Sequence, residues 1–226
     1  MKSVLYYPLA FLASLLIFVG LPLLGWGLGD LSGFFAHPAR VAYVAVIAAL
    51  QLFAILYNPQ VGRNQENRKS GVATPKMDLV LIQVFSLAVV ILAPLSDSHS
   101  FAVFNFGDAG RIVGLVLIVP GFVLMQMAEK YLARQFSVQV TIQENHKLIQ
   151  DGPYKFVRHP RYLGILIFFS GISLAFRSLL AVLVTVALLF VLLWRVSAEE
   201  KLMRREFGDA WEAYRRKSWK IIPFVF

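Results

Sequence analysis

Two apolar runs, separated by only two residues, decide how this chain folds: residues 160–196 read PRYLGILIFFSGISLAFRSLLAVLVTVALLFVLLWRV. Only Arg177 and Ser178 lie between the runs. We therefore expect a tight turn there, joining two antiparallel helices, Pro160–Phe176 and Leu179–Val196. Runs of this length and polarity are typical of membrane spans, which need about 20 apolar residues.

The composition of the whole chain also indicates a membrane protein. Of its 226 residues, 58% are hydrophobic and 15% are charged, and the mean hydropathy is +0.66, whereas about a quarter of the residues of a soluble domain are charged. We predict an all-α, polytopic integral membrane helical bundle of about six transmembrane helices, in one membrane domain of residues 1–226. The lack of cysteine excludes disulfides, thiolate metal sites and a cysteine nucleophile.

Four further spans are predicted before the hairpin. They are Val4–Leu28, Ala39–Tyr57, Met77–Leu95 and Arg111–Met127. Ser137–Asp151 alternates apolar and polar residues, which favours an extended or loop segment. Beyond Val196, apolar residues recur at helical spacing among arginines, which predicts a C-terminal amphipathic helix on the membrane surface. Its apolar positions are Leu202, Phe207, Trp211 and Tyr214.

The net charge of +9 is concentrated in segments that flank the apolar runs. The basic segments are Gln60–Lys76, Lys130–Arg161 and the C-terminal tail. The loops near Asp30 and from Asp97 to Asp108 are acidic or neutral. Six spans then place both termini and all basic segments in the cytoplasm, by the positive-inside rule, in a plasma, inner or internal membrane. We expect no nucleic-acid partner, because no folded basic surface is indicated.

The predicted hairpin has a geometric consequence for its charged ends. Measured from the turn, both Arg158-His159 and Glu199-Glu200 lie about 30 Å away along their helices, at about 1.5 Å per residue. Antiparallel helices would therefore bring these four side chains to the same depth at the cytoplasmic interface. Charged groups beside hydrocarbon are costly, so we expect this group to have a function.

The residue types favour a ligand that carries both charges. Pro160 suits the first turn of a helix, and a helix N-terminus with Arg158 beside it suits a carboxylate or phosphate. Glu199 or Glu200 suits an ammonium group or a ribose hydroxyl. A purely structural reading remains open, in which the arginines and aromatic rings mark the membrane interface and the two glutamates pair with Arg195 and Arg204. A metal site is not expected, because His146 and His159 are too few and too far apart in sequence.

At these residues the chain resembles the isoprenylcysteine carboxyl methyltransferase family and related membrane phospholipid methyltransferases. The resemblance is carried by three motifs between about Gln135 and the C-terminus: Gly152-Pro153-Tyr154 with Arg158-His159-Pro160 and Tyr162-Leu163-Gly164, then Glu199-Glu200, then Phe207-Gly208-Asp209-Ala210-Trp211-Glu212-Ala213-Tyr214. It implies S-adenosylmethionine as the cofactor, with catalytic roles for Arg158, near the acceptor, and for Glu200. The implied cofactor-binding residues are His146, Leu148, Tyr154, His159, Pro160, Tyr162, Glu199 and Glu200.

The resemblance also implies a division of labour within the domain. Residues 135–226 would bind the cofactor, and the transmembrane helices of residues 1–128 would form the acceptor side. The acceptor would be lipophilic: a prenylated protein, a phospholipid amine or another small lipid, with membrane lipids around it. The oligomeric state is left open.

Two other functions are weighed against methyl transfer. Membrane sterol and steroid reductases share a similar C-terminal pattern, and Lys147, Lys155 and Arg161 could hold the phosphates of NADPH. A scaffold or transporter is disfavoured because the first four spans carry no mid-span charge that would mark an ion path. We favour the methyltransferase, because Arg158-His159-Pro160 with Glu199-Glu200 fits it more closely.

Overall fold

The computed structural model describes residues 2–57, 77–132 and 148–225. These parts of the chain are mainly helical and contain no β-strand. The helices are α1 (Lys2–Leu15), α2 (Leu21–Trp26), α3 (Leu31–Phe35), α4 (Pro38–Tyr57), α5 (Met77–Ser98), α6 (Gly107–Leu132), α7 (Pro160–Ala175) and α8 (Leu179–Arg215). The predicted all-α membrane bundle is confirmed. Among the described residues, five helices are long and apolar enough to cross a membrane: Pro8–Trp26, α4, α5, α6 and α8.

α7, which corresponds to the predicted span Pro160–Phe176, is shorter than these five helices. It is an apolar helix of 16 residues, which corresponds to about 24 Å. The predicted turn at Arg177-Ser178 is present, with Arg177 in the left-handed region at φ 53°. Ser178 caps α8 by accepting a hydrogen bond from the N–H of Ala181 at 3.0 Å, so α7 and α8 form the expected hairpin.

The first span contains a π-helical turn, Leu16–Gly20, between α1 and α2. Pro22 follows this turn and has no N–H to bond to the carbonyl of Phe18, four residues earlier. The hydroxyl of Tyr43 on α4 donates to that carbonyl at 2.8 Å. A neighbouring helix therefore satisfies the backbone group that the proline leaves without a partner.

The end of α8 differs from the separate surface helix that the sequence predicted. The helix continues through Glu199 and Glu200 and bends at Gly208, which has φ 48° and ψ −120°. After the bend, Trp211 and Tyr214 are buried, at 3% and 5% exposure. The aromatic face of this last part of α8 therefore packs against the protein itself.

Glycines set the distance between α6 and α7, the most extensively packed pair of helices. Gly114 faces Gly171, and Gly121 faces Gly164, so the two pairs are seven residues apart on each helix. A Cβ on Gly121 would lie 2.5 Å from the backbone nitrogen of Phe168 and 2.9 Å from the carbonyl oxygen of Gly164. The two backbones thus touch in a way that only glycine permits.

One buried carboxylate joins the helices at the end of the bundle where the α7–α8 turn lies. Asp97, in the last turn of α5, accepts hydrogen bonds from three arginines: Arg111 at 2.8 and 2.9 Å, Arg177 at 2.9 and 3.2 Å, and Arg40 at 3.2 Å. Its side chain is fully buried. The sequence had placed Asp97 in an acidic or neutral loop, because nothing local to it shows that arginines from α4, α6 and the turn converge there.

We predict that Gly121→Ala weakens the α6–α7 contact. The added methyl group meets backbone rather than a flexible side chain, so the free energy of unfolding should fall by about 1–3 kcal/mol. Gly29→Ala is the control, because a Cβ at Gly29 has nothing within 4 Å, and it should change the stability by about 0.5 kcal/mol or less. Thermal unfolding in detergent measures both. Equal melting temperatures for the two variants would contradict the close backbone contact.

Candidate active site

The hairpin brings together the charged residues that the sequence singled out. His159 lies between the two carboxylates of α8: its Nδ1 is 3.4 Å from Oε2 of Glu199, and its Nε2 is 3.4 Å from Oε1 of Glu200. The Nε of Arg158 donates to Oε1 of Glu200 at 2.9 Å. We call these four side chains the core cluster. It lies at the end of the bundle where α7 begins, which we call the site end.

The local sequence explains why Arg158 and His159 stand at this place. Pro160 begins α7, and the carbonyl of His159 accepts the first backbone hydrogen bonds, from Tyr162 at 3.1 Å and Leu163 at 3.2 Å. Gly152, at φ 58°, starts the short 3₁₀ turn that leads into the motif, and the ring of Tyr131 occupies the space that a Cβ there would need. The glycine therefore allows the turn to pack closely against α6.

The C-terminal segment, residues 216–225, holds the motif in place. The backbone N–H groups of Arg158 and His159 donate to the carbonyls of Trp219 and Lys220 at 2.8 and 3.2 Å. The Nη1 of Arg158 also donates to the carbonyl of Arg215 at 3.1 Å and to that of Ser218. Within the described part of the chain, Nη2 of Arg158 makes no hydrogen bond. Part of this guanidinium therefore has a structural role, and one nitrogen remains for a ligand.

A second layer of polar residues lies behind Glu199. Its Oε1 accepts hydrogen bonds from the hydroxyl of Tyr162 at 2.5 Å and lies 3.0 Å from Nε of Arg195. Arg195 in turn lies 2.6 Å from Asp78 at the start of α5. The Arg195–Glu199 pair was foreseen from the four-residue spacing on one helix. Arg204 pairs with Glu212 at 2.6 Å rather than with Glu200.

Asp78 was missed by the sequence reasoning. It lies 117 residues before Arg195, and helical spacing reports only on neighbours within one helix. The available signal was an acidic residue at the start of the predicted third span, a position that is also typical of an ordinary helix start. Its burial, at 5% exposure, distinguishes it from such a residue.

The remaining predicted site residues are spread around the cluster. Tyr162 contacts the core cluster, with its ring stacked on that of His159 at 5.8 Å between centroids, and Pro160 is buried beside His159. Tyr154 is tied elsewhere: its hydroxyl lies 3.3 Å from the carbonyl of Ala128, and its own carbonyl accepts from Tyr214 at 2.7 Å. Leu148 is half-buried before the 3₁₀ turn, and His146 lies outside the described residues.

Burial and charge act in opposite directions on His159. Burial by itself would lower the pKa of the imidazole, but the carboxylates of Glu199 and Glu200 outweigh it, so the pKa lies above its ordinary value. Among the described residues, Nε2 of His159 has no aligned hydrogen-bond partner, although Glu200 is 3.4 Å away. A buried histidine held between two acids is typical of a site that binds a polar ligand.

Known membrane methyltransferases are similar to this chain in sequence. The family model for phospholipid methyltransferases matches residues 109–210. A probable protein-S-isoprenylcysteine O-methyltransferase of Oryza sativa subsp. indica is 35% identical over 149 residues, 63% of this chain and 76% of that protein. The protein-S-isoprenylcysteine O-methyltransferase of Saccharomyces cerevisiae is 26% identical over 223 residues, 90% of this chain and 88% of that protein.

A solved structure shares the fold. It is that of a eukaryotic intramembrane Ras methyltransferase, isoprenylcysteine carboxyl methyltransferase, with a TM-score of 0.55 and 21% identity, covering 84% of this chain and 69% of that one. The chain belongs to the isoprenylcysteine O-methyltransferase family. It is therefore an integral membrane methyltransferase, and the resemblance seen in the sequence is confirmed, whereas the reductase and the scaffold are not supported.

We predict that His159 makes the stability of the protein depend on pH. Because its pKa is raised on folding, the protonated form stabilises the folded state. This contribution is complete below the unfolded pKa of about 6.5 and is lost as the pH rises through the folded value. The melting temperature of the wild type, relative to that of His159→Gln, should therefore decrease from pH 6 to pH 9. His99→Gln, at an exposed histidine near the opposite end, is the control and should follow the wild type; a flat difference between wild type and His159→Gln would contradict the prediction.

Proposed function

We propose that this chain transfers a methyl group from S-adenosylmethionine to the carboxylate of a prenylated cysteine, at the cytoplasmic face of a membrane. The observation that carries the proposal is the core cluster, in which two carboxylates, a buried histidine and an arginine meet where an apolar hairpin emerges. Family membership supports the reaction, and the names of the relatives support a prenylcysteine acceptor.

The chemistry of the core cluster fits this cofactor. S-adenosylmethionine carries an ammonium, a carboxylate, a sulfonium and a ribose with two hydroxyl groups. Glu199 and Glu200 can accept from the ammonium or the hydroxyl groups, and His159, whose Nε2 makes no aligned hydrogen bond to the described residues, lies between them. The stacked rings of His159 and Tyr162 offer aromatic surface near a cation. His146 and Leu148 belong to the same proposed region, residues 135–226.

The reaction requires little acid–base catalysis from the protein. When bound, S-adenosylmethionine supplies a methyl group on a positively charged sulfur, already activated for attack. A carboxylate oxygen of the acceptor forms the new C–O bond as the C–S bond breaks, the bonding electron pair stays on sulfur, and no proton moves. The protein must therefore align the two reactants and exclude water.

Arg158 has the position and chemistry to orient the acceptor. Its Nε and Nη1 are held by Glu200 and by the C-terminal carbonyls, so Nη2 is the nitrogen that can donate to a carboxylate. Holding the carboxylate from one side leaves its other oxygen free to attack. Because Arg158 also braces Glu200 at 2.9 Å, it links the acceptor to the cofactor pocket, and its removal should affect both.

We assign the acceptor side to residues 1–128. The orientation in the membrane is inferred from the distribution of charge. The matched family segment begins at residue 109, so the first three spans precede it and are free to determine which lipid enters. Lipophilic acceptors would enter sideways between helices, which gives a reason for a methyltransferase to lie in a bilayer. The excess of basic residues at the site end favours its placement in the cytoplasm.

We predict that the purified protein binds S-adenosylmethionine and S-adenosylhomocysteine with micromolar affinity and does not bind NADPH. A ligand that binds only the folded state raises the melting temperature, so thermal shift and calorimetry both report on it. The protein should also transfer a radiolabelled methyl group to N-acetyl-S-farnesylcysteine but not to the same thioether with its carboxylate amidated. Stabilisation by NADPH alone would contradict the proposal.

We predict separate defects for the two proposed catalytic residues. Glu200→Gln keeps the shape but loses the charge, so the affinity for S-adenosylmethionine should fall about tenfold or more. Arg158→Lys keeps the charge but loses the planar fork, so turnover should fall more than cofactor affinity. Glu206→Gln and Arg205→Lys make the same changes at exposed positions of α8 and should behave as wild type. Normal methylation by both site variants would overturn the assignments.

A further inference from the structure

Asp78 and Arg195 form a buried ion pair directly behind the core cluster. The Nη1 of Arg195 lies 2.6 Å from Oδ2 of Asp78, and the two residues are only 4% and 5% exposed. Asp78 lies on α5, outside the matched family segment. Burying two charges is costly, and a buried pair is weak evidence for stability on its own, which points instead to a role in the site that the pair contacts.

The guanidinium of Arg195 connects Asp78 with the site through its other edge. Its Nε donates to the hydroxyl of Tyr162 at 2.7 Å and lies 3.0 Å from Oε1 of Glu199. A guanidinium is planar and rigid, so fixing Nη1 also fixes the direction of Nε. Asp78 is itself held, because its Oδ1 accepts the N–H of Leu79 at 2.8 Å.

Glu199 is oriented by these contacts. Both donors, Tyr162 and Arg195, approach the same oxygen, Oε1. The second oxygen, Oε2, is thereby turned toward the core cluster, where it lies 3.4 Å from Nδ1 of His159. Asp78 on α5 therefore sets the direction of Oε2 of Glu199, the oxygen that faces the ligand, although Arg195 lies between the two residues.

We propose that Asp78 is a positioning residue for cofactor binding: acting through Arg195, it orients the carboxylate of Glu199 and couples α5 to the cofactor pocket. This inference rests on the proposed function. The coupling has a charge component as well as a geometric one. Without the charge of Asp78, the site becomes more positive by one unit, and the guanidinium of Arg195 draws Glu199 away from the ligand.

Asp78→Asn tests this role, because it keeps the shape of the side chain and removes its charge. The dissociation constant for S-adenosylmethionine should rise about tenfold. The loss of affinity should be smaller for S-adenosylhomocysteine, which lacks the positive charge on sulfur. Val89→Ala is the matched control: Val89 is fully buried on the same helix, so the variant loosens the packing of α5 without a change of charge and should weaken both ligands equally or not at all.

A double-mutant cycle with Glu199→Gln shows whether the effect passes through Glu199. In the Glu199→Gln background, Asp78→Asn should weaken binding by less than about twofold, because neighbouring residues in one network are not additive. A full tenfold loss in both backgrounds, or an equal loss for the two ligands, would mean that Asp78 only ties α5 to α8 and would overturn the proposal.

A measurement without ligand separates this inference from the proposed function. The imidazole nitrogens of ¹⁵N-labelled His159, assigned with His159→Gln, report on the charge around Glu199. In Asp78→Asn the titration of His159 should move to lower pH, because the surroundings are more positive. A moved titration in a protein that binds no S-adenosylmethionine contradicts the proposed function but keeps the orienting role of Asp78; an unmoved titration overturns that role.

Discussion

The contact between the backbones of α6 and α7 is the constraint on which the rest of the structure depends. In a bilayer, lipid tails are as apolar as leucine, so helices associate through close packing rather than through burial of hydrocarbon. The two glycine pairs, Gly114 with Gly171 and Gly121 with Gly164, fix both the distance and the register of α7 on α6. The start of α7 is thereby set beside the end of α6, where Arg161 donates to Glu129 at 3.0 Å. The two-residue turn then leaves α8 little freedom in where it returns.

The hairpin is held by charge at both of its ends. Near the turn, Asp97 of α5 forms ion pairs with Arg177 of the turn, with an arginine of α4 and with an arginine of α6. Four parts of the bundle therefore meet at one carboxylate. At the site end, Glu199 and Glu200 face the start of α7. Buried charges are costly, and a missing partner would leave the others uncompensated. The two ends differ in one respect: the arginines near the turn bond to the protein, whereas the site end has nitrogens left for a ligand.

The sequence was sufficient for the hairpin and for the meeting of its charged ends, because both follow from helix rise and turn position. The acids of α8 and the motif before α7 lie at equal distances along two antiparallel rods, and no other part of the chain is needed to infer that they meet. The same logic found the Arg195–Glu199 pair, which lies within one helix.

Features that depend on several helices were not accessible in this way. Asp97 and Asp78 look like ordinary helix-end acids until their partners on other helices are known. The glycines of α6 and α7 could be counted, but the face on which they lie matters only once the neighbour is known. The last turn of α8 reads as amphipathic in isolation, and only the fold shows that Trp211 and Tyr214 pack on the protein.

The shortness of α7 goes with its place inside the bundle. Its 16 residues measure about 24 Å, against a hydrocarbon thickness of about 30 Å, whereas its partner α6 has 26 residues and measures about 39 Å. None of the residues of α7 is exposed, so this helix is covered mainly by its neighbours rather than by lipid. Its length therefore need not match the thickness of the bilayer, because hydrophobic mismatch acts on surfaces that lipid touches.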